Sequence, residues 1–380
     1  MDYNTKALEL HEKYKGKLEI NSRVPLRTRD DLSIYYTPGV AEPCRYIERN
    51  PSDAYKYTSK GNTVAVITDG SAVLGLGNIG SLAGLPVMEG KCVLFKEFGG
   101  VDAVPVCLAT QDTDEIIATI KNIAPTYGGI NLEDISAPRC FDIEKALIDS
   151  LDIPVFHDDQ HGTAIVCLAG LINALKITGR DKETAKVVIS GAGAAGIAVG
   201  KLLLDYGFTN IVFQDSKGLI YEGRDGLNSH KEEMAKRTNR DMLKGGLDVA
   251  IKNADIFIGV SKPDILTKEM VESMNPDSII FAMSNPNPEI NPDEAKSGGA
   301  LIIATGRSDY PNQINNVLAF PGIFKGVFAA RARKITTAMK LAAAQALADM
   351  VAEPTPERII PGVFEEGVCD VVAEAVMENV

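Results

Sequence analysis

Residues 186–190 read KVVIS, residues 191–196 read GAGAAG, and residues 197–215 read IAVGKLLLDYGFTNIVFQD. The first run is β-branched and apolar, as a buried strand is. The second is a GxGxxG turn. The third gives a helix over 197–206 and a second strand over 210–214, which ends at Asp215. A bare GxGxxG says little. Here a strand precedes it, a helix and a second strand follow, and an acid stands nineteen positions past the last glycine, which is the full dinucleotide-binding context. Gly191 permits the tight turn, Gly193 lets the backbone approach a pyrophosphate, and Gly196 lets helix and strand pack closely. Ala192, Ala194 and Ala195 fill the turn and open the helix, whose free N–H groups and dipole favour an anion. Asp215 is placed to accept hydrogen bonds from the adenosine ribose. It would repel a 2′-phosphate, which favours NAD. Lys217, two residues on, either pairs with that phosphate and admits NADP or is a solvated surface charge.

Working outward, apolar runs at 254–260, 278–283 and 300–304 extend this unit to a full nucleotide-binding sheet. The loops that follow two of them, Ser261-Lys262-Pro263 and Ser284-Asn285-Pro286, are expected over the nicotinamide half. Upstream, 63–68 (TVAVIT) is a strand ending at Asp69-Gly70. Residues 93–95, 103–108, 130–132 and 153–156 read as further short strands. Asp112 caps a helix in which Ile116, Ile120 and Ile123 share a face. Strands alternating with helices predict an α/β protein with mostly parallel sheets. At 380 residues two domains are expected: 1–160, a substrate and metal domain, and 161–380, a Rossmann-type dinucleotide domain with C-terminal helices. The apolar helix over 162–178 reads as buried between them. Residues up to about Gly16 read as a short charged helix, and the stretch from there to Pro38 as loop.

The formal net charge of −12 disfavours nucleic acid and anionic membrane as partners. The six cysteines include no CxxC pair, so neither a zinc knuckle nor a redox dithiol is indicated. The N-terminal twenty residues mix charges with apolar residues and hold no signal core. The most apolar stretch, 164–175, is too short to span a bilayer. The expected compartment is the cytoplasm.

Two acidic pairs, Glu133-Asp134 and Asp158-Asp159, each follow a short apolar strand, and open α/β sheets place ligands at those strand ends. Together they would repel one another unless a cation neutralised them, and carboxylate oxygens suit Mg²⁺ or Mn²⁺. Taken alone, acids in loops are most often solvated surface charges.

The pairs belong to a longer series: Tyr36-Thr37-Pro38-Gly39-Val40-Ala41, Thr68-Asp69-Gly70, Leu74-Gly75-Leu76-Gly77-Asn78-Ile79-Gly80 and Pro86-Val87-Met88-Glu89-Gly90-Lys91. Leu132-Glu133-Asp134, Phe156-His157-Asp158-Asp159-Gln160-His161-Gly162-Thr163, Ser284-Asn285-Pro286 and Asn315-Asn316 continue it. In this order, over roughly residues 16 to 330, the series resembles malic enzyme in its short bacterial or archaeal form. The resemblance implies metal ligands Glu133, Asp134 and Asp159, with Asp158 beside the metal as acid/base or orienter. Lys91 is similar to the family's general base and Tyr36 to its general acid. Asn285 and Asn316 resemble the residues that hold a malate carboxylate. His157 and His161 are not expected as ligands.

One departure stands out. Ala72 occupies the place where other branches carry an arginine that grips the substrate carboxylate. Ser71, backbone amides near Gly77 and Asn78, or the asparagines must then serve. The resemblance implies divalent-metal-dependent oxidative decarboxylation of (S)-malate to pyruvate and CO₂ with reduction of NAD or NADP, is compatible with decarboxylation of oxaloacetate as well, and implies a homodimer or higher homo-oligomer. Two rivals stand beside it: a relative with tightly held NAD that converts malate to lactate, and a nucleotide-sensing or scaffold protein without turnover.

Overall fold

The computed structural model describes residues 2–380. Ten strands are named in chain order: β1 Thr63–Thr68, β2 Asp102–Cys107, β3 Gly129–Leu132, β4 Val155–His157, β5 Lys186–Ser190, β6 Asn210–Asp215, β7 Gly218–Leu219, β8 Ile256–Gly259, β9 Ser278–Ala282 and β10 Ala300–Thr305. They form two sheets among the described residues. One has the order β2-β1-β3-β4 and the other β10-β9-β8-β5-β6-β7. Every pairing is parallel except the short β6–β7 pair at an edge. β1, β3, β8 and β9 are buried throughout, which is why they read as unbroken apolar runs rather than as alternation.

Helix Asp158–Thr178 joins the two sheets and is buried along most of its length. Its Ile165, Cys167, Leu168 and Leu171 belong to one core with Val187 and Ile189 of β5 and Val64 and Val66 of β1. It is long and apolar enough to cross a membrane by length and composition, contrary to the sequence expectation, but 67% of its most apolar window lies inside the fold. The full helix includes the polar turn 158–161 that the apolar run alone does not reveal.

Two expectations fail. Residues 93–95 are not a strand but lie in helix Ser81–Gly99. Met88, Cys92, Phe95 and Gly99 are buried at helical spacing, yet Pro86 and three glycines weaken the helical signal of the sequence. The 17–38 stretch holds a helix, Arg29–Tyr35, capped reciprocally by Thr28 and Asp31.

The chain's last third packs back onto the first sheet's helices. Phe95 meets Phe320 at 4.6 Å and Phe324 at 5.3 Å between ring centroids, and Phe324 meets Phe156 at 6.0 Å. Offset aromatic pairs of this kind add roughly 0.5–1.5 kcal/mol each beyond area burial. They fix helix Ser81–Gly99 against helix Phe320–Ala330 beside the first sheet and so help set the position of Lys91.

Candidate active site

Parallel pairing of Leu132 with His157 puts the ends of β3 and β4 side by side, so Glu133-Asp134 and Asp158-Asp159 meet at one carboxyl edge. Glu133, Asp134 and Asp159 each offer an oxygen within 4.8 Å of the others'. The Asp134 amide donates to Asp159 Oδ2 at 2.8 Å, and Asn131 Nδ2 donates to Glu133 Oε2 at 2.9 Å. The buried His157 Nε2 lies 3.1 Å from Asp159 Oδ2.

Lys91 enters from helix Ser81–Gly99. Its ammonium lies 2.5 Å from Asp158 Oδ2, 3.0 Å from Glu133 Oε1 and 4.1 Å from the Phe320 ring centroid. Burial alone would lower its pKa, but Asp158 and Glu133 outweigh burial and hold it above the ordinary lysine value. Glu133 moves upward: burial raises it, Lys91 opposes, and Asp159, Asp158 and Asp134 add to the rise. Four carboxylates against one ammonium leave local negative charge, and the donor set is all oxygen. The residues present therefore fit a hard divalent cation. Asp158 is fully buried and also accepts from Asn316 Nδ2 at 2.9 Å. Gly162, four residues on, leaves room for it: a Cβ there would lie 1.9 Å from Asp158 Oδ1.

These groups border a cavity of about 700 Å³, lined among others by Ala72, Lys91, Glu133, Asp134, Asp159, Asn285 and Asn316. A second cavity of about 570 Å³ is lined by Gly191, Ala192, Gly193, Asp215 and Lys231. Val260 and Ser261 line both, so the two are neighbours across one loop. Gly191 has φ +114°, and a Cβ there would meet Val260 O at 2.5 Å; a Cβ at Gly196 would meet Gly191 O at 1.9 Å. Gly193 faces open space. Ala194 begins the following helix, and Ala195 reaches the larger cavity.

Not every candidate arrives. Ser71 does not line the cavity: its hydroxyl donates to Asp69 Oδ1 at 2.6 Å and accepts from the Ser136 amide at 2.9 Å. Lys217 is exposed and lines a separate groove with Arg224 and Lys244. Tyr36, at the end of helix Arg29–Tyr35, is 66% exposed and does not line the cavity that holds Lys91.

Two residues were missed. Lys231 Nζ lies 2.6 Å from Asp215 Oδ2, and Arg224 also grips that carboxylate at 2.6 Å. Burial would raise the Asp215 pKa, but Arg224 and Lys231 hold it well below the carboxylate range. Nothing local in HKEEMAK marks Lys231 out. The other is Glu289, an acid in a proline-rich loop that turns out to be fully buried.

Comparison with known families decides what this arrangement is. The profile described as "Malic enzyme, NAD binding domain" matches residues 160–380, and "Malic enzyme, N-terminal domain" matches residues 15–113 and 109–148. The chain belongs to the malic enzyme family. It is similar to the "Bifunctional malic/malolactic enzyme" of Bacillus subtilis, at 57% identity over 99% of this chain and 92% of that one. It is similar to the "NADP-dependent malic enzyme" of Halomonas elongata, at 51% identity over 93% and 84%. The crystal structure of the NAD-dependent malic enzyme of Thermotoga maritima superposes with a TM-score of 0.95, at 50% identity over 98% of each chain. In this member of the family a cluster of three carboxylates borders a cavity that adjoins the one lined by the glycine turn.

Proposed function

We propose that this malic enzyme oxidises and decarboxylates (S)-malate to pyruvate and CO₂ with reduction of NAD⁺ or NADP⁺, and that Mg²⁺ or Mn²⁺ sits on Glu133, Asp134 and Asp159. The observation that carries the reading is the carboxylate cluster with Lys91 in the cavity that shares Ser261 with the dinucleotide cavity. A divalent cation held by Glu133, Asp134 and Asp159 would supply Lewis-acid polarisation, and a nicotinamide in the neighbouring cavity would supply the hydride acceptor. Lys91 and Asp158 act as one pair that takes the C2 hydroxyl proton. Their mutual contact makes the accepting site a property of the pair. Loss of the distal carboxylate as CO₂ leaves the enol of pyruvate, and Tyr36 gives the proton to C3. Asn285 and Asn316 orient the substrate carboxylate in place of the arginine that Ala72 replaces. Oxaloacetate decarboxylation would use the same groups without the hydride step.

Tyr36 reaches a site only from a second copy. Helices Tyr3–Tyr14, Arg29–Tyr35 and Ala41–Arg49 contain no buried residue, and Tyr3, Leu8, Leu26, Ile34 and Tyr36 stand exposed on them or between them. So much apolar surface on one arm suits an interface. We read the chain as a homodimer in which each arm covers the partner, and Tyr36 completes the partner's cavity. The division at residue 160/161 and a cytoplasmic location belong to the same proposal.

For the cofactor, NAD remains favoured, because Asp215 lines the dinucleotide cavity. Arg224 and Lys231 neutralise that carboxylate, which supports acceptance of NADP as well. A second reading, malate to lactate with retained NAD, is favoured by the similarity to the B. subtilis relative, whose name includes malolactic activity.

The metal assignment is tested by Asp159→Ala. The variant should stay folded, lose activity by about a hundredfold or more and lose high-affinity Mn²⁺ binding by calorimetry. Full turnover in excess chelator would refute it.

A further inference from the structure

Glu289 is fully buried and stands outside every role assigned so far. Its Oε1 accepts the Ser261 N–H at 2.9 Å and its Oε2 accepts the Ser284 N–H at 3.0 Å. No lysine, arginine or histidine pairs with it among the described residues. Ser261 follows β8 and borders both cavities, while Ser284 follows β9 and leads into Asn285. The backbone around Glu289 holds the same loop: Pro288 O accepts from Asp264 N at 3.3 Å and Glu289 O from Leu266 N at 3.0 Å. On the dinucleotide side, Ser261 Oγ lies 3.2 Å from Ser190 Oγ, directly before the glycine turn. Gly259 makes the space: a Cβ there would lie 2.3 Å from the Glu289 carboxyl carbon.

A buried carboxylate is costly unless its oxygens are satisfied, and a packing role alone is met better by an apolar side chain. Two separate backbone donors need two acceptor oxygens. A glutamine would turn its amide against one of the N–H groups and leave it unsatisfied.

We propose that Glu289 is a positioning residue that ties the loop after β8 to the loop after β9, so that the wall of the dinucleotide cavity and the wall carrying Asn285 are held as one unit. The consequence for substrate rests on the role assigned to Asn285 under the proposed function; the consequence for the dinucleotide does not.

The test uses Glu289→Gln in the full-length protein, with Gly259→Ala as an independent perturbation that displaces the carboxylate while leaving Glu289 in place. Dinucleotide Kd is measured by calorimetry without malate or metal, and malate KM and kcat at saturating Mn²⁺ and cofactor. Each variant is expected to raise both Kd and KM by about tenfold while kcat changes by less than about threefold, the pattern of lost positioning rather than lost chemistry. In an Asn285→Ala background, Glu289→Gln should add less than about twofold to the malate KM, because two changes acting through one loop are not additive. Where Asn285→Ala itself raises the malate KM, a lowered Tm with Kd and KM both unmoved, a change in only one of the two constants, or full additivity with Asn285→Ala would overturn the proposal. If Asn285→Ala alone leaves the malate KM unchanged, the role of Asn285 fails. Glu289 is then decided by the dinucleotide Kd: a rise supports the clamp and no change overturns it.

Discussion

The Lys91 ammonium lies 2.5 Å from Asp158 Oδ2, and both side chains are buried beneath the carboxylate cluster. A lysine so placed is held protonated, which is the wrong state for a base. Its partner Glu133 is also one of the three clustered carboxylates, so charge bound at that cluster competes with Lys91 for Glu133. On the proposed function, metal binding and base activation would therefore be joined through Glu133.

Replacing Lys91 by alanine removes the ammonium that pairs with Asp158 and Glu133. Malate oxidation should fall by about 10²–10⁴-fold, the ordinary worth of a general base, followed as malate-dependent absorbance of reduced cofactor. Because Lys91 serves the hydroxyl proton, oxaloacetate decarboxylation should suffer less. Equal malate oxidation in Lys91→Ala and parent would shift the base role to Asp158.

Trans delivery of Tyr36 is checked by mixing. Tyr36→Phe and Lys91→Ala homodimers should each be nearly inactive. After dissociation and reassociation together, hybrid dimers contain one site with both native groups, and activity should recover to about a quarter of parental, the statistical share for a two-fold dimer. No recovery would mean that both groups act from one chain.

On the proposed cofactor reading, the Lys231–Asp215 ion pair would temper repulsion of a 2′-phosphate. Lys231→Ala leaves Arg224 as the main counter-charge, so repulsion of the phosphate should grow. We expect kcat/KM for NADP to fall about tenfold and that for NAD by less than about threefold. An unchanged ratio would place the 2′ position elsewhere.

Local patterns carried much of the fold. The strand, glycine turn, helix and Asp215 of the dinucleotide unit lie within thirty residues, so their spacing is visible in sequence. The pairs Glu133-Asp134 and Asp158-Asp159 were legible as strand ends, and the parallel β3–β4 pairing supplied what spacing could not, their meeting. Lys91 was harder. Val93-Leu94-Phe95 mimics a strand, and only the burial of Met88, Cys92, Phe95 and Gly99 reveals the helix. Lys231 and Glu289 were illegible because each acts across the fold, on Asp215 sixteen residues back and on Ser261 twenty-eight residues back. Ser71 was a reasonable candidate by position, but its hydroxyl is committed to Asp69 and Ser136. Tyr36 lies exposed on the N-terminal arm, and only the proposed dimer would bring it to a cavity.

The central claim is that malate oxidation and decarboxylation occur together and release their products. The direct measurement supplies purified protein with (S)-malate, Mn²⁺ and NAD⁺ or NADP⁺, then quantifies reduced cofactor by absorbance, pyruvate and lactate by chromatography, and CO₂ by trapping. Reduced cofactor, pyruvate and CO₂ in equal amounts is the predicted result. Lactate with CO₂ and no free reduced cofactor, or no turnover with either dinucleotide, would contradict it.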